Sequence, residues 1–266
     1  MQAVLLCDYD IIVLTETWLN DEFSSDELNF TNYNIYRCDR GPSTSTARRG
    51  GGVMVAVRNN FPASRTALDC SNIEQVFVCV SVNARRVLIG AVYIPPGSPL
   101  ATYTSHCETV ENIVDGLNDV DLLLIFGDYN LPNIKWANDV EGLNITGTIS
   151  ENAQIICNSF SFCNLYQGNV IPNVYNQYLD LFFCNSVDII TELATDILLP
   201  CDAYHPALHC SIELPCTQET VHECYYYDFK NANFNLMNYH LSLVDWDELF
   251  SDYNVDLCVN SFYELI

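Results

Sequence analysis

Five stretches of the chain place a polar or ionisable residue where an apolar run ends or is interrupted. Glu16 follows IIVLT, Tyr93 lies in GAVYIPP, and Asp128 and Asn130 close LLLIFGDYN. Asp180 interrupts YLDLFF, and Asp202 and His205 share PCDAYHPAL. Carboxylates of this kind can hold a cation or take a proton, and a histidine can give one. Asp180 is the most telling, because a carboxylate embedded in an apolar strand is costly unless paired or liganding. Taken singly, each has an ordinary structural explanation. Glu16 and Asp128 could cap turns, Tyr93 could be a core aromatic, and His205 could belong to a turn. As a set at strand ends, where layered sheets expose reactive groups, they point to a site.

The elements that must position them are mostly strands. Apolar runs begin at Asp10, Gly52, Gln75, Arg86, Asp121, Leu179 and Ala207. They are rich in Val, Ile and Phe, as buried strands are. Two helices are expected between them. Tyr103 to Val120 brings Val110, Ile113, Val114 and Leu117 to one face, and Ser150 to Tyr166 opens with Ser150 as a cap. Strands outnumber helices, so the expected class is α/β or α+β with a layered sheet core. Composition shifts near Pro215, which divides the chain into 1-215 and a helical 216-266 with patterns over Asn233 to Phe250 and Leu257 to Ile266.

The 266 residues carry 34 acids against 10 basic side chains, a net charge of −24. With 49% hydrophobic and only 17% charged residues, a disordered acidic chain is excluded. Charge alone argues against a nucleic-acid partner. Its distribution tempers that. Eight arginines between Arg37 and Arg86, Arg48 and Arg49 among them, face three acids there, a local net of +5. The segment from 216 has nine acids and one lysine, a net of −8. Asp8, Asp10 and Glu16 break the first twenty residues, which do not read as a secretory signal, and no apolar run is long enough for a membrane helix. Thirteen cysteines without a CxxC pair read as buried, reduced thiols of an intracellular protein.

In order, IIVLTETWLND, RGGGVMVAV, GAVYIPPGS, LLLIFGDYNLP, LDLFF and DAYHPAL resemble the endonuclease/exonuclease/phosphatase superfamily. Within it they are most similar to the endonuclease domain of non-LTR (LINE-type, Jockey-like) retrotransposon polyproteins. FKNANFNLMNYHLSLVDWDELF resembles the connector to the reverse transcriptase of such polyproteins. The resemblance implies a four-layered α/β sandwich, two packed mixed sheets flanked by helices, and a metal-dependent phosphodiesterase that nicks target DNA to prime reverse transcription. Glu16 would bind Mg2+, or Mn2+ in its place, and Asp202 matches the Asp of a family Ser-Asp-His motif, a second metal residue. Asp128 would orient or deprotonate the attacking water. Asn130 and Tyr93 would contact the phosphate, the D-x-N spacing letting Asp128 and Asn130 project alike from an extended segment. His205 would donate to the developing charge, with Asp180 fixing its tautomer, and Arg48 and Arg49 would contact substrate. DNA and a reverse transcriptase domain are the implied partners, with no membrane, and the nucleus the implied place of the working element.

Two departures qualify this. Two residues separate Asp202 from His205, a spacing that resembles the Asp-x-x-His-Pro form of Jockey-like relatives. The family's first strand and its Asn are expected to be missing, because Met1 falls within the helix that precedes DIIVLTET. The alternatives are an inactive, truncated nucleic-acid-binding or interaction fragment, and a small-phosphoester phosphatase of the same superfamily.

Overall fold

The computed structural model describes residues 8–45, 47, 49–68, 72–140, 142–195, 198, 200, 202–214, 232–251, 255, 258, 259 and 262. In chain order the strands are β1 (Ile11–Thr15), β2 (Tyr33–Cys38), β3 (Val53–Arg58), β4 (Ala63–Arg65), β5 (Glu74–Val82) and β6 (Arg85–Tyr93). Helix α1 (Leu100–Asp115) then leads to β7 (Leu122–Asp128), β8 (Ile134–Asp139) and β9 (Gly142–Gly147). After α2 (Glu151–Phe162) come β10 (Tyr166–Gln167), β11 (Asp180–Cys184), β12 (Glu192–Leu193) and β13 (Leu208–His209).

Two sheets form the frame. One has three antiparallel strands in the order β1-β3-β2. The other has six, β10-β11-β7-β6-β5-β4, mixed because β6 and β7 run parallel across the α1 crossover. Alternation sorts their side chains. Val53, Val55 and Val57 of β3 meet Val76, Val78 and Val80 of β5 and Ile89 and Ala91 of β6 in the layer between the sheets. The opposite face of the larger sheet, with Phe77, Leu88, Leu123 and Ile125, packs on Val110 and Ile113 of α1 and Ile156 and Phe160 of α2. A third cluster of Ile12, Tyr33 and Ala56 lies on the smaller sheet. The α/β layering of sheets with flanking helices expected from the resemblance is therefore present. Residues 1–7, which the sequence places in the helix preceding DIIVLTET, lie outside the described residues.

Several boundaries differ from the sequence pattern. Helix α1 starts after Pro99 and stops at Gly116, whose N–H caps Ile113 and Val114, so the expected turn to Val120 is replaced by a loop. Helix α2 begins where expected, with the Ser150 hydroxyl accepting from Ala153 N–H. Of the run from Ala207, only Leu208–His209 pairs as a strand. The β8–β9 hairpin was not anticipated, since IKWAND and GLNITG lack an apolar run.

Contacts divide the chain after Thr217. In the second unit, α3 (Phe234–Ser242) is capped by the Asn233 side chain and α4 (Trp246–Leu249) by Asp245. Most of Leu257 to Ile266 lies outside the described residues. Among the described residues no helix is long and apolar enough to cross a membrane.

Gly127, next to Asp128 on β7, sits against β6 so closely that a Cβ would lie 2.5 Å from the Val92 carbonyl oxygen. Backbone cannot yield as a flexible side chain can. Gly127→Ala is expected to lower unfolding stability by about 2 kcal/mol or more, read by denaturant titration; an unchanged midpoint would refute this packing.

Candidate active site

Strand register builds the site. Tyr93 closes β6 opposite Asp128, which closes β7, and Asp180 opens β11 opposite Asp128 on its other side. Glu74 opens β5 opposite Tyr93. Four neighbouring strands thus set Glu74, Tyr93, Asp128 and Asp180 along one rung at one end of the larger sheet. Asp180 is not embedded in its strand, as the sequence suggested, but is its first residue and partly exposed.

His205 reaches this rung from the loop before β13. Its Nδ1 donates to the Asp180 carboxylate at 3.0 and 3.2 Å, and its Nε2 lies 4.0 Å from Asp128 Oδ2. The Asp180 bond, against a lesser effect of burial, raises the His205 pKa to about 9, so the ring is an imidazolium at neutral pH. Asp128 is 1% exposed. Burial, and then the facing Asp180, push its carboxyl up to about 7. Donor atoms of Asp128, Asp180 and His205 all lie within 4.8 Å of one another.

Asn130 meets Asp128 by a route that extended spacing does not give. Its φ of 48° is left-handed, and it folds back on the carboxylate. Its backbone N–H donates to Asp128 Oδ1 at 3.0 Å, and its side-chain amide donates to Asp128 Oδ2 at 2.8 Å and to the Ile94 carbonyl at 3.1 Å. Tyr129 between them is anchored behind the site. His106 is wholly buried, with Nδ1 2.8 Å from Gln75 Oε1 and Nε2 2.9 Å from the Tyr129 hydroxyl. Because the Gln75 amide donates to Thr109 Oγ1, its oxygen faces the ring. Nδ1 therefore carries the hydrogen and Nε2 accepts from Tyr129. Burial drops the His106 pKa to about 3, keeping it neutral.

Glu16 comes from the other sheet, just past β1. Its Oε1 accepts from the Tyr93 hydroxyl at 2.5 Å and its Oε2 from the Trp18 indole N–H at 3.1 Å. Burial, with Glu16 adding to it, raises the Tyr93 pKa, so the phenol stays a donor. Glu16 and Trp18 both have left-handed φ, 51° and 57°. That geometry is held by Thr17 and Trp18 N–H groups bonded to Gly52 and Gly51 carbonyls. Gly51, at φ 71°, cannot be larger, since its Cβ would fall 2.2 Å from Glu74 Oε2. Glu74, 2% exposed, pairs with Arg40 Nε at 2.6 Å and accepts from Gly52 N–H at 2.6 Å. Arg40 in turn lies 5.6 Å from the Tyr93 ring centroid.

The structure thus brings Glu16, Tyr93, Asp128, Asn130, Asp180 and His205 together. Asp202 turns to its own loop, where its Oδ1 accepts from Tyr204 N–H at 2.6 Å and His205 N–H at 3.3 Å. Arg49 is exposed, its carbonyl held by Arg40 Nη1, and Arg48 lies outside the described residues. Glu74, Arg40, Trp18 and His106 escaped the sequence reading. Only Glu74 had a usable signal, as an acid at the start of a strand antiparallel to the one that Tyr93 ends.

Residues 1–194 match the model of the Endonuclease/Exonuclease/phosphatase family. Among solved structures, the endonuclease domain of TRAS1, a telomere-specific non-LTR retrotransposon, is similar at 12% identity and TM-score 0.48, covering 70% of this chain and 76% of that one. The human Nocturnin catalytic domain is similar at 15% identity and TM-score 0.46, covering 76% and 79%. Truncated Caenorhabditis elegans TDP2 is similar at 14% identity and TM-score 0.42, covering 75% and 81%. No curated protein matches.

The pKa shifts fix how stability depends on pH. Asp128 rises from its ordinary 3.8 to about 7 on folding. Its contribution is therefore complete below about 4 and is lost as pH rises to about 7. His205, raised from 6.5 to about 9, acts in the same sense over that higher window. Asp128→Asn removes the first cost. Its amide sets a donor against Asn130 at every pH, a constant cost, so the expectation is for the change: relative to the parent the variant should gain on the order of 4 kcal/mol between pH 4 and pH 8. Denaturant titrations at both pH values check this, and a gap independent of pH would contradict it.

Proposed function

The chain belongs to the endonuclease/exonuclease/phosphatase family, and from that premise we propose that it is a metal-dependent phosphodiesterase that nicks DNA. The role that fits its motifs is that of a retrotransposon endonuclease priming reverse transcription, acting in the nucleus beside a reverse transcriptase domain of the same polyprotein. The observation that carries the reading is the pairing of a buried carboxyl near pH 7 with an imidazolium 4.0 Å away. One can take a proton from water while the other supplies positive charge and a donor.

Asp128 has a pKa close to the pH at which it would work, which suits a general base. Asn130 locks its two oxygens, leaving little rotational freedom. His205, oriented by Asp180, presents Nε2 to the charge that builds on a phosphoryl oxygen or to the leaving oxygen. Tyr93, a neutral donor, would bind a non-bridging oxygen. Asp202 is proposed to shape the turn that presents His205, and Arg49 and Arg48 to meet the flanking backbone.

A divalent cation fits the donor chemistry. Glu16 is an exposed carboxylate whose oxygens each take one hydrogen bond and keep further lone pairs, and Asp202 leaves Oδ2 outside its turn. Such oxygen donors match magnesium or manganese. The tighter group of Asp128, Asp180 and His205 includes an imidazole, which magnesium rarely takes. When bound, the cation would neutralise phosphate charge.

Supercoiled plasmid with magnesium provides the test. The parent chain is expected to convert it to open circles, and Glu16→Ala and His205→Ala each to slow this by at least about 100-fold. Nicking that survives both substitutions, or turnover confined to small phosphomonoesters, would overturn the reading.

A further inference from the structure

Three large aromatic side chains stand exposed around the site. Trp18 is 63% exposed, Tyr204 51% and Tyr175 55%. Trp18 is attached to the Tyr93 end of the rung through its bond to Glu16. Tyr204 precedes His205, which is bonded to Asp180 two strands away. Strand spacing puts those two anchor points about 10 Å apart. Neither ring is loose. The indole is pinned by its N–H and by a left-handed backbone bonded to Gly51. Tyr204 is held by its backbone bond to Asp202 and by Tyr175, whose ring centroid lies 4.8 Å away at a 32° tilt. Val174 N–H bonds to the Ala203 carbonyl, tying the two tyrosine loops together.

The cations tell the complementary story. Arg37 pairs with Asp39, Arg40 with Glu74, Arg58 with Asp8 and Arg86 with Asp121. Arg65 and Arg85 donate to the carbonyls of Arg37 and Val120. Six of the eight arginines between Arg37 and Arg86 are thus paired with acids or engaged by backbone, in a chain of net charge −24. Those six can supply little of the affinity for a polyanion. Rigid exposed rings beside a phosphate site supply it by stacking on bases, which needs no net charge.

We propose that Trp18 and the Tyr204–Tyr175 pair form two stacking stations for unpaired nucleobases flanking the reacting phosphate, so that the chain acts on single-stranded or locally unwound nucleic acid. This rests on the phosphodiesterase reading above and names its substrate class. A paired duplex keeps its bases stacked on one another, and their faces are closed to either station.

The test is binding without turnover. The full chain in EDTA is titrated with a fluorescent single strand of about 12 nucleotides, an abasic strand of equal length, and a duplex. The base-bearing strand is expected to bind at least about tenfold tighter than the other two. Trp18→Ala and Tyr204→Ala should each cost about tenfold on that strand alone, while Tyr204→Phe retains affinity. Its dependence on salt should be shallow, whereas phosphate-driven binding would be steep. Equal binding of the abasic strand or duplex, a steep salt slope, or alanine variants that melt as the parent and bind as the parent would each overturn the proposal. Cleavage of the same strand in magnesium is scored separately. Base-dependent binding without cleavage sinks the phosphodiesterase reading and keeps the stacking stations. Cleavage indifferent to base pairing does the reverse.

Discussion

Placing two carboxylates on directly opposing residues of neighbouring strands is unfavourable, and the surroundings of Asp128 and Asp180 are arranged around that fact. The conflict is resolved unequally. Asp180 keeps an ion pair with His205, while Asp128, deeper in the protein, takes a raised pKa and two donors from Asn130. Two groups of one chemical type thereby acquire different roles through position alone, one orienting a ring and one able to exchange a proton. Removing the register would remove the difference. The site therefore depends on the β6–β7–β11 ladder more than on any single side chain.

That ladder is held from both faces. The valine layer shared with β3 fixes it against the smaller sheet, and the helices α1 and α2 cover its back. Behind the reactive segment the contact is polar. A hydrogen-bond chain from Thr109 through Gln75 and His106 to Tyr129 runs in one fixed direction, because each member has one way to satisfy its neighbours. Tyr103 holds the Tyr129 carbonyl as well. The loop that carries Asp128 and Asn130 is thus anchored by bonds inside the core, while its other side faces the reactive groups.

Strands with unbroken apolar runs were legible in the sequence, and so were the residues that end them. Glu16, Tyr93 and Asp128 announce themselves because a polar group after a run of apolar residues marks the end of a strand. Tyr33–Cys38 and the β8–β9 hairpin were not legible, since half-exposed strands carry tyrosine, asparagine and lysine where a buried one carries valine. Glu74 and Arg40 lie 34 residues apart and meet only through pairing across the two sheets. Asp180 was placed correctly in sequence but wrongly in context, because YLDLFF reads as a single strand although the pairing begins only at the Asp. Spacing arguments likewise assumed an extended Asp128-Tyr129-Asn130, whereas the left-handed Asn130 turns the chain back.

The pairing of arginines with acids also has a kinetic side. A chain of net charge −24 whose cations are mostly engaged at close range projects a negative field that reaches out over about a Debye length. A polyanion approaching it is slowed by repulsion before any ring or carboxylate is touched, the reverse of electrostatic steering. Added salt screens that barrier and quickens the encounter, even as it leaves the contacts made on arrival largely unchanged. For a chain of this charge, meeting any polyanion depends on being delivered or tethered near it rather than on long-range attraction.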